Sequence, residues 1–204
     1  MTTISLIEKR GVVYRVYADG RLMAQIDRAS FERAPLREGD EIDPEAYLEG
    51  VARQQQGPAY EAALSALDRS AKTEKALRRW LSLRGFLEPA IESAVERLHR
   101  ARLLDDGAIA QRLTEAGASG GLSKSAIVRK LRAKGVGEEE IASALEAVSD
   151  EEQLSSAKRL AAKLYPRYAG EETRAARAKL SQALARRGFS WDTIAQALEG
   201  FFGG

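Results

Sequence analysis

The chain has 204 residues, 44% of them hydrophobic and 30% charged, with a formal net charge of +2, which suits one or two domains with real cores. It contains no cysteine and a single histidine, His99, which removes disulfides, thiolate catalysis, Cys-based zinc sites, any multi-His metal site and a Ser/His/Asp triad anywhere but at His99. Its apolar runs fall short of the roughly 18 residues of a membrane span, and MTTISLIEKR has no signal-peptide apolar region, so it reads as a soluble cytoplasmic protein.

The chain opens with three short β-rich runs, ISLIEK, VVYRVY and LMAQI, separated by Arg10-Gly11 and Asp19-Gly20. Asp-Gly between alternating strands signals a type I′ hairpin, so a three-stranded antiparallel meander is predicted. A helical turn is expected from Ser30 or Phe31, LREGDEI reads as a turn, and Asp43-Pro44-Glu45 starts a helix, Asp as N-cap and Pro at the first helical position. That helix is expected to reach about Arg53. QQQGP, residues 54 to 58, then reads as a polar linker or hinge ending in a Gly-Pro break, and places a domain boundary.

Beyond it, one pattern is written three times without a gap: LRRWLSLRGFLEPAIESAV from Leu77, IVRKLRAKGVGEEEIASAL from Ile127 and LSQALARRGFSWDTIAQAL from Leu180. Leu77, Ile127 and Leu180, with Leu81, Leu131 and Leu184 four residues on, draw one apolar row down a first helix. Arg84, Lys134 and Arg187 stand in its last turn, and Gly85, Gly135 and Gly188 follow where a left-handed cap belongs. Phe86, Val136 and Phe189 are placed to pack back on that helix. A second helix turns Ile91, Ile141 and Ile194 inward with Val95, Leu145 and Leu198.

The period is longer than a helical hairpin requires, so each unit needs a third helix. The candidates are Tyr60 to Leu67; Ala108 to Ala116, capped by Asp105 or Asp106; and Glu151 to Leu164, ended by Tyr165-Pro166. GASGG, residues 117 to 121, reads as a flexible joint, and Phe201-Phe202 as the closure of the last core. The resulting division is an extension over 1–58 and repeats over 59–104, 105–149 and 150–204.

Charge is unevenly divided. Residues 1 to 69 carry 9 basic and 12 acidic residues, 70 to 135 carry 14 and 7, 136 to 153 carry 0 and 7, and 154 to 204 carry 9 and 4. The cations favour the helix before each glycine: Lys75, Arg78 and Arg79; Lys124, Arg129, Lys130, Arg132 and Lys134; Arg174, Arg177, Lys179, Arg186 and Arg187. No Asp or Glu lies between Ser123 and Gly135, so the middle helix reads as unpaired positive charge facing an anionic partner, against the simpler reading of a solvated face.

Other chemistry is excluded. SGGLSKS, residues 119 to 125, is no phosphate loop, because Ser123 and Ala118 stand where that loop needs glycine and a helix precedes it. Asp105-Asp106 and Glu138 to Glu140 suit helix starts better than a metal, and His99 in ERLHR reads as solvated.

The three-fold LxxxLxx[RK]G pattern, LLDD before the second unit, TEKALRRWL in the first and LARRGFSWDTI in the last together resemble the RecX family of bacterial recombination regulators. The resemblance covers residues 60 to 200, and the β-rich start resembles an extension that some members carry. It implies a mainly α fold, an elongated curved array of three three-helix repeats, here after a small β meander. It also implies binding to the RecA recombinase nucleoprotein filament, with inhibition of its ATPase, strand-exchange and co-protease activities and so an effect on homologous recombination, DNA repair and the SOS response. Weak binding to single- and double-stranded DNA, no cofactor and no catalytic residue belong to the same expectation, and the chain is expected to be a monomer. GAIA, residues 107 to 110, departs from the family's usual acidic and aromatic residues, with Ile109 expected to fill the core instead.

Two other readings come from different classes. Helix, glycine turn, helix also resembles a DNA-binding transcription factor, but the helix after each glycine carries Glu88, Glu92 and Glu96, then Glu138 to Glu140, then Asp192 and Glu199, which would repel DNA. A helical-repeat scaffold for another protein partner fits the periodicity equally well.

Overall fold

The computed structural model describes residues 1–202; Gly203 and Gly204, the end of the predicted 150–204 repeat, lie outside the described residues. The chain divides between Asp105 and Asp106 into two compact units.

In the first unit, β1 (Thr2–Arg10), β2 (Val13–Ala18), β3 (Arg21–Asp27) and β4 (Glu41–Ile42) form an antiparallel sheet in the order β3-β2-β1-β4. Asp19 and Gly20 have φ of +48° and +75°, as a type I′ hairpin requires. The predicted meander thus gains a fourth strand, hidden in a segment that reads as a turn. Only two residues pair, Ile42 with Thr2 and Glu41 with Thr3, too few to leave an alternating pattern. Ile4, Val16, Ala24 and Ile26 point from the sheet onto Phe31 of α1 (Arg28–Arg33) and Val51 of α2 (Pro44–Arg69).

The linker predicted over 54–58 is overturned, because α2 runs through it as one 26-residue helix. Asp43 caps it, its Oδ1 accepting from Glu45 N at 3.0 Å and Ala46 N at 3.3 Å. Val51, Ala52, Gln55, Ala59, Ala63 and Ala66 recur at helical spacing and are buried, so one face is covered past the Gly-Pro pair. Gln54 and Pro58 lie on the exposed face, where water can satisfy the carbonyl that Pro58 leaves without a donor. The helix expected at Tyr60 to Leu67 is the second half of α2. It packs on α3 (Glu74–Leu83) and α4 (Glu88–Arg100), with Ala59 against Ala90 and Ala94.

The second unit holds α5 (Asp106–Ser119), α6 (Lys124–Lys134) and α7 (Glu138–Glu146), then α8 (Asp150–Leu164), a 3₁₀ turn at Tyr165–Arg167, α9 (Thr173–Arg186) and α10 (Trp191–Phe202). Ile127, Leu131, Ile141 and Ala144 build the first of its cores with Ala110, while Ile109, expected to fill that core, is only half-buried. Leu180, Leu184, Ile194 and Leu198 build the other on Ala157 and Ala161, where Phe201 and Phe202 pack beside Tyr165. Of the predicted flexible joint at 117–121, residues 117 to 119 are the end of α5, and Gly120 and Gly121 form the turn that follows. Gly117 is buried inside α5, and a Cβ there would lie 2.8 Å from Ile127 Cγ1, so this glycine serves close packing.

The three repeat glycines turn the chain identically. Gly85, Gly135 and Gly188 have φ of +84°, +84° and +86°. In each hairpin the residue after the glycine donates to the last leucine of the apolar row: Phe86 N to Leu81 O (3.3 Å), Val136 N to Leu131 O (3.1 Å), Phe189 N to Leu184 O (3.4 Å). This is the Schellman arrangement, which satisfies an otherwise orphaned carbonyl.

Gly85 does more than turn the chain. Its carbonyl accepts from Asp27 N at 3.0 Å, and an added Cβ would lie 2.6 Å from the Ile26 carbonyl carbon and closer still to Asp27 N. Gly11 has φ +60° with nothing near its missing Cβ. In urea unfolding, Gly11→Ala is therefore expected to cost about 1 kcal/mol from φ alone. Gly85→Ala should cost about 3 kcal/mol or more, because sheet backbone cannot move aside cheaply; equal costs would remove the close approach.

Candidate functional site

The predicted cations lie on α3, α6 and α9, with Arg187 at the C-cap of α9, and the caps of two of these helices show how they are positioned. Thr73 Oγ1 accepts from Ala76 N at 3.2 Å, and Ser123 Oγ accepts from Ala126 N at 3.1 Å. Ser123 Oγ also donates to Arg187 O at 2.9 Å, and Ser125 Oγ donates to Gly188 O at 2.7 Å. The start of α6 therefore holds the glycine turn that follows α9. A Cβ on Gly188 would come within 2.7 Å of Ser123 Oγ and 3.3 Å of Arg129 Nη2, so Arg129 reaches that turn.

Two buried glutamines, which the reading of surface charge passed over, complete the scaffold. Gln55 Nε2 donates to Gly85 O at 2.8 Å and Asp27 Oδ2 at 2.7 Å, while its Oε1 accepts from Leu87 N at 2.7 Å. Gln153 Oε1 accepts from Lys124 N at 2.7 Å, giving the first turn of α6 a partner. Their signal in the sequence is a polar residue at a position where the helical period calls for an apolar one.

The structure divides the cations into two groups. Arg78, three-quarters buried, donates from Nε to Glu74 at 2.7 Å and from Nη1 to Glu88 at 3.2 Å and Glu92 at 2.6 Å. Arg132 donates to both oxygens of Glu138, at 2.7 Å each, and Lys124 Nζ lies 2.9 Å from Asp150. Lys179 pairs with Glu171 at 2.7 Å. The reading of α6 as wholly unpaired is thus corrected: its carboxylate partners come from beyond the glycine and from α8.

Hydrogen bonding from Arg132 holds the Glu138 carboxyl below its ordinary range, and Lys124 does the same to Asp150. Lys75, Arg79, Arg129, Lys130, Arg174, Arg177, Arg186 and Arg187 are exposed, and no ion pair engages their side chains among the described residues. Lys134 is exposed in the last turn of α6.

His99, expected to be simply solvated, lies with Nε2 2.6 Å from Glu74 Oε2. Among the described residues no group of three or more His, Asp or Glu side chains is placed to hold a metal ion, and no helix is long and apolar enough to cross a membrane. The first turns of α4 and α7 are acidic, Glu88 in one and Glu138 to Glu140 in the other, which is unfavourable for helices reading DNA.

Comparison with known proteins decides the family. The model of the first three-helix domain of RecX matches residues 59–98 and that of the third matches residues 150–198. Regulatory protein RecX of Limosilactobacillus reuteri (strain DSM 20016) is 32% identical over 193 residues, covering 93% of this chain and 73% of that one. The chain belongs to the RecX family. Regulatory protein RecX of Bacillus subtilis (strain 168) is 24% identical over 200 residues, 98% of this chain and 76% of that one. A crystal structure of regulatory protein RecX covers 98% of this chain and 100% of its own, with 28% identity and a TM-score of 0.67. A second, of RecX from Lactobacillus salivarius, covers 72% and 97% with 25% identity and a TM-score of 0.68. As a RecX family member the chain is a regulatory protein and not an enzyme.

The Arg78 cluster gives a pH prediction. Burial pushes the Glu74 carboxyl up, but hydrogen bonds from Arg78 and His99 outweigh it and hold Glu74 below the ordinary carboxylate range; Arg78 lowers Glu92 in the same way. A carboxyl with a depressed folded pKa contributes stability above its unfolded pKa and loses it as pH falls through the folded value. Chemical denaturation of the wild type should therefore show stability falling below about pH 4.3, and Arg78→Gln should flatten that fall. At neutral pH the variant should lose about 1 kcal/mol, because the partly buried Glu74 carboxylate loses its guanidinium, while the exposed Glu88 and Glu92 are screened by water.

Proposed function

We propose that this RecX family protein acts in the cytoplasm as a monomer that binds the RecA recombinase filament and inhibits its ATPase, strand-exchange and co-protease activities. Three three-helix units, 59–104, 105–149 and 150–204, following the 1–58 extension, each offer weak contacts to the periodic filament, and multivalency multiplies them. The contacts are made by the exposed cations of α3, α6 and α9, with weak binding to single- and double-stranded DNA from the same side chains. The observation that carries this reading is family membership together with cations left without an intramolecular carboxylate, Lys75 and Arg79 on α3, Arg129 and Lys130 on α6, Arg174 and Arg177 on α9. Charge of one sign, unpaired within its own chain, favours an anionic surface such as a nucleoprotein filament.

The test is titration of the protein into single-stranded-DNA-dependent ATP hydrolysis by the cognate recombinase. Wild type is expected to inhibit. Arg129→Glu with Lys130→Glu should keep the melting temperature near wild type and weaken inhibition by about tenfold or more at physiological salt, less at low salt, where the other cations compensate over a longer Debye length. Arg132→Gln should have a smaller effect, since Glu138 already engages that guanidinium. Full inhibition by the folded double variant would place the working surface elsewhere.

A further inference from the structure

Unit one carries a groove that the basic faces do not explain. It runs along α2 from Pro44 to Gln56 and is closed on its other side by Leu87, Glu88 and Pro89 at the start of α4, enclosing about 750 Å³. Its floor is apolar: Pro44, Leu48, Ala52, Leu87 and Pro89. Leu48 and Leu87 are half-buried, presenting one side to the sheet core and the other to the groove.

The rim is acidic. Glu45, Glu49 and Glu88 line it against a single cation, Arg53, which lies 3.5 Å from Glu49. Glu88 shares Arg78 with two other carboxylates, so it keeps much of its negative character toward the groove. Such a rim repels nucleic acid phosphates, which separates this surface from the cationic helix faces. The helical stretch 44 to 56 is about 18 Å long, enough for one apolar face of a short partner helix carrying anchors one turn apart.

We propose that the α2–α4 groove is a docking site for a basic amphipathic segment of a partner protein, whose apolar side chains lie on Leu48, Ala52 and Leu87 while its Lys or Arg side chains pair with Glu45, Glu49 and Glu88. Charge complementarity selects this occupant, and the apolar floor supplies the anchor that charge alone would not. The proposal does not rest on the recombinase reading, since it uses none of Lys75, Arg79, Arg129, Lys130, Arg174 and Arg177.

The test uses the full-length ¹⁵N-labelled protein and a synthetic helical peptide with a leucine face flanked by lysines, compared with the same peptide carrying glutamate for lysine. The expected result is saturable shifts confined to residues 44 to 56 and 87 to 89 with the lysine peptide and none with the glutamate peptide. In Glu45→Lys with Glu49→Lys, both exposed positions, affinity should fall about tenfold or more, while ring-current shifts of the sheet core show that the fold is kept. Shifts elsewhere, equal binding of both peptides, or unchanged affinity in the folded variant would each overturn the site. Shifts of the groove residues on raising protein concentration alone would make the occupant a second copy and overturn it equally.

Discussion

Everything in the helical part of this chain depends on a backbone constraint, the left-handed residue that ends the first helix of each hairpin. With Gly85, Gly135 and Gly188 near φ +85°, the next amide turns back to the carbonyl of Leu81, Leu131 or Leu184. The residue that carries this amide is Phe86, Val136 or Phe189, so one turn both satisfies a polar group and delivers an apolar side chain toward the core. The isoleucine of the second helix then meets the leucine row of the first.

The same turns serve as docking points, and here the repeats cease to be alike. Gly85 presents its carbonyl to Asp27 N at the end of β3 and to the Gln55 amide, so the sheet, α2 and the first hairpin share one polar knot. Gly188 presents its carbonyl to Ser125, beside the Ser123 that caps α6. Buried polar side chains in both places are bonded to backbone groups that would otherwise be left unpaired at a junction between elements. The N-terminal sheet is thus built into the first helical unit, with a single helix running through what reads as a hinge.

Charge is organised by the same hairpin geometry. Carboxylates of the second helix reach arginines of the first: Glu138 faces Arg132 late in α6, and Glu88 and Glu92 face Arg78 in the first half of α3. The exposed Arg132–Glu138 pair adds little stability. The consequence of the ion pairs is selective: they engage some cations and leave others, so that the unpaired basic faces are narrower than the count of basic residues suggests.

The sequence by itself determined the repeats, the Asp43 cap of α2 and the left-handed glycines that end the first helix of each hairpin, because these follow from short-range periodicity and capping. The three cores were legible in the leucine and isoleucine columns for the same reason, and the motifs in those columns pointed to the family. Only the tertiary structure decided that α2 crosses Gly57-Pro58, since a break signal of two residues is outweighed by a buried face that continues on both sides of it. It also decided that β4 exists, that Gly117 is a contact with Ile127 and that Arg78, Lys124 and Arg132 are already engaged. Each of these depends on residues distant along the chain or across a turn, and local pattern carries no information about what a side chain will meet there.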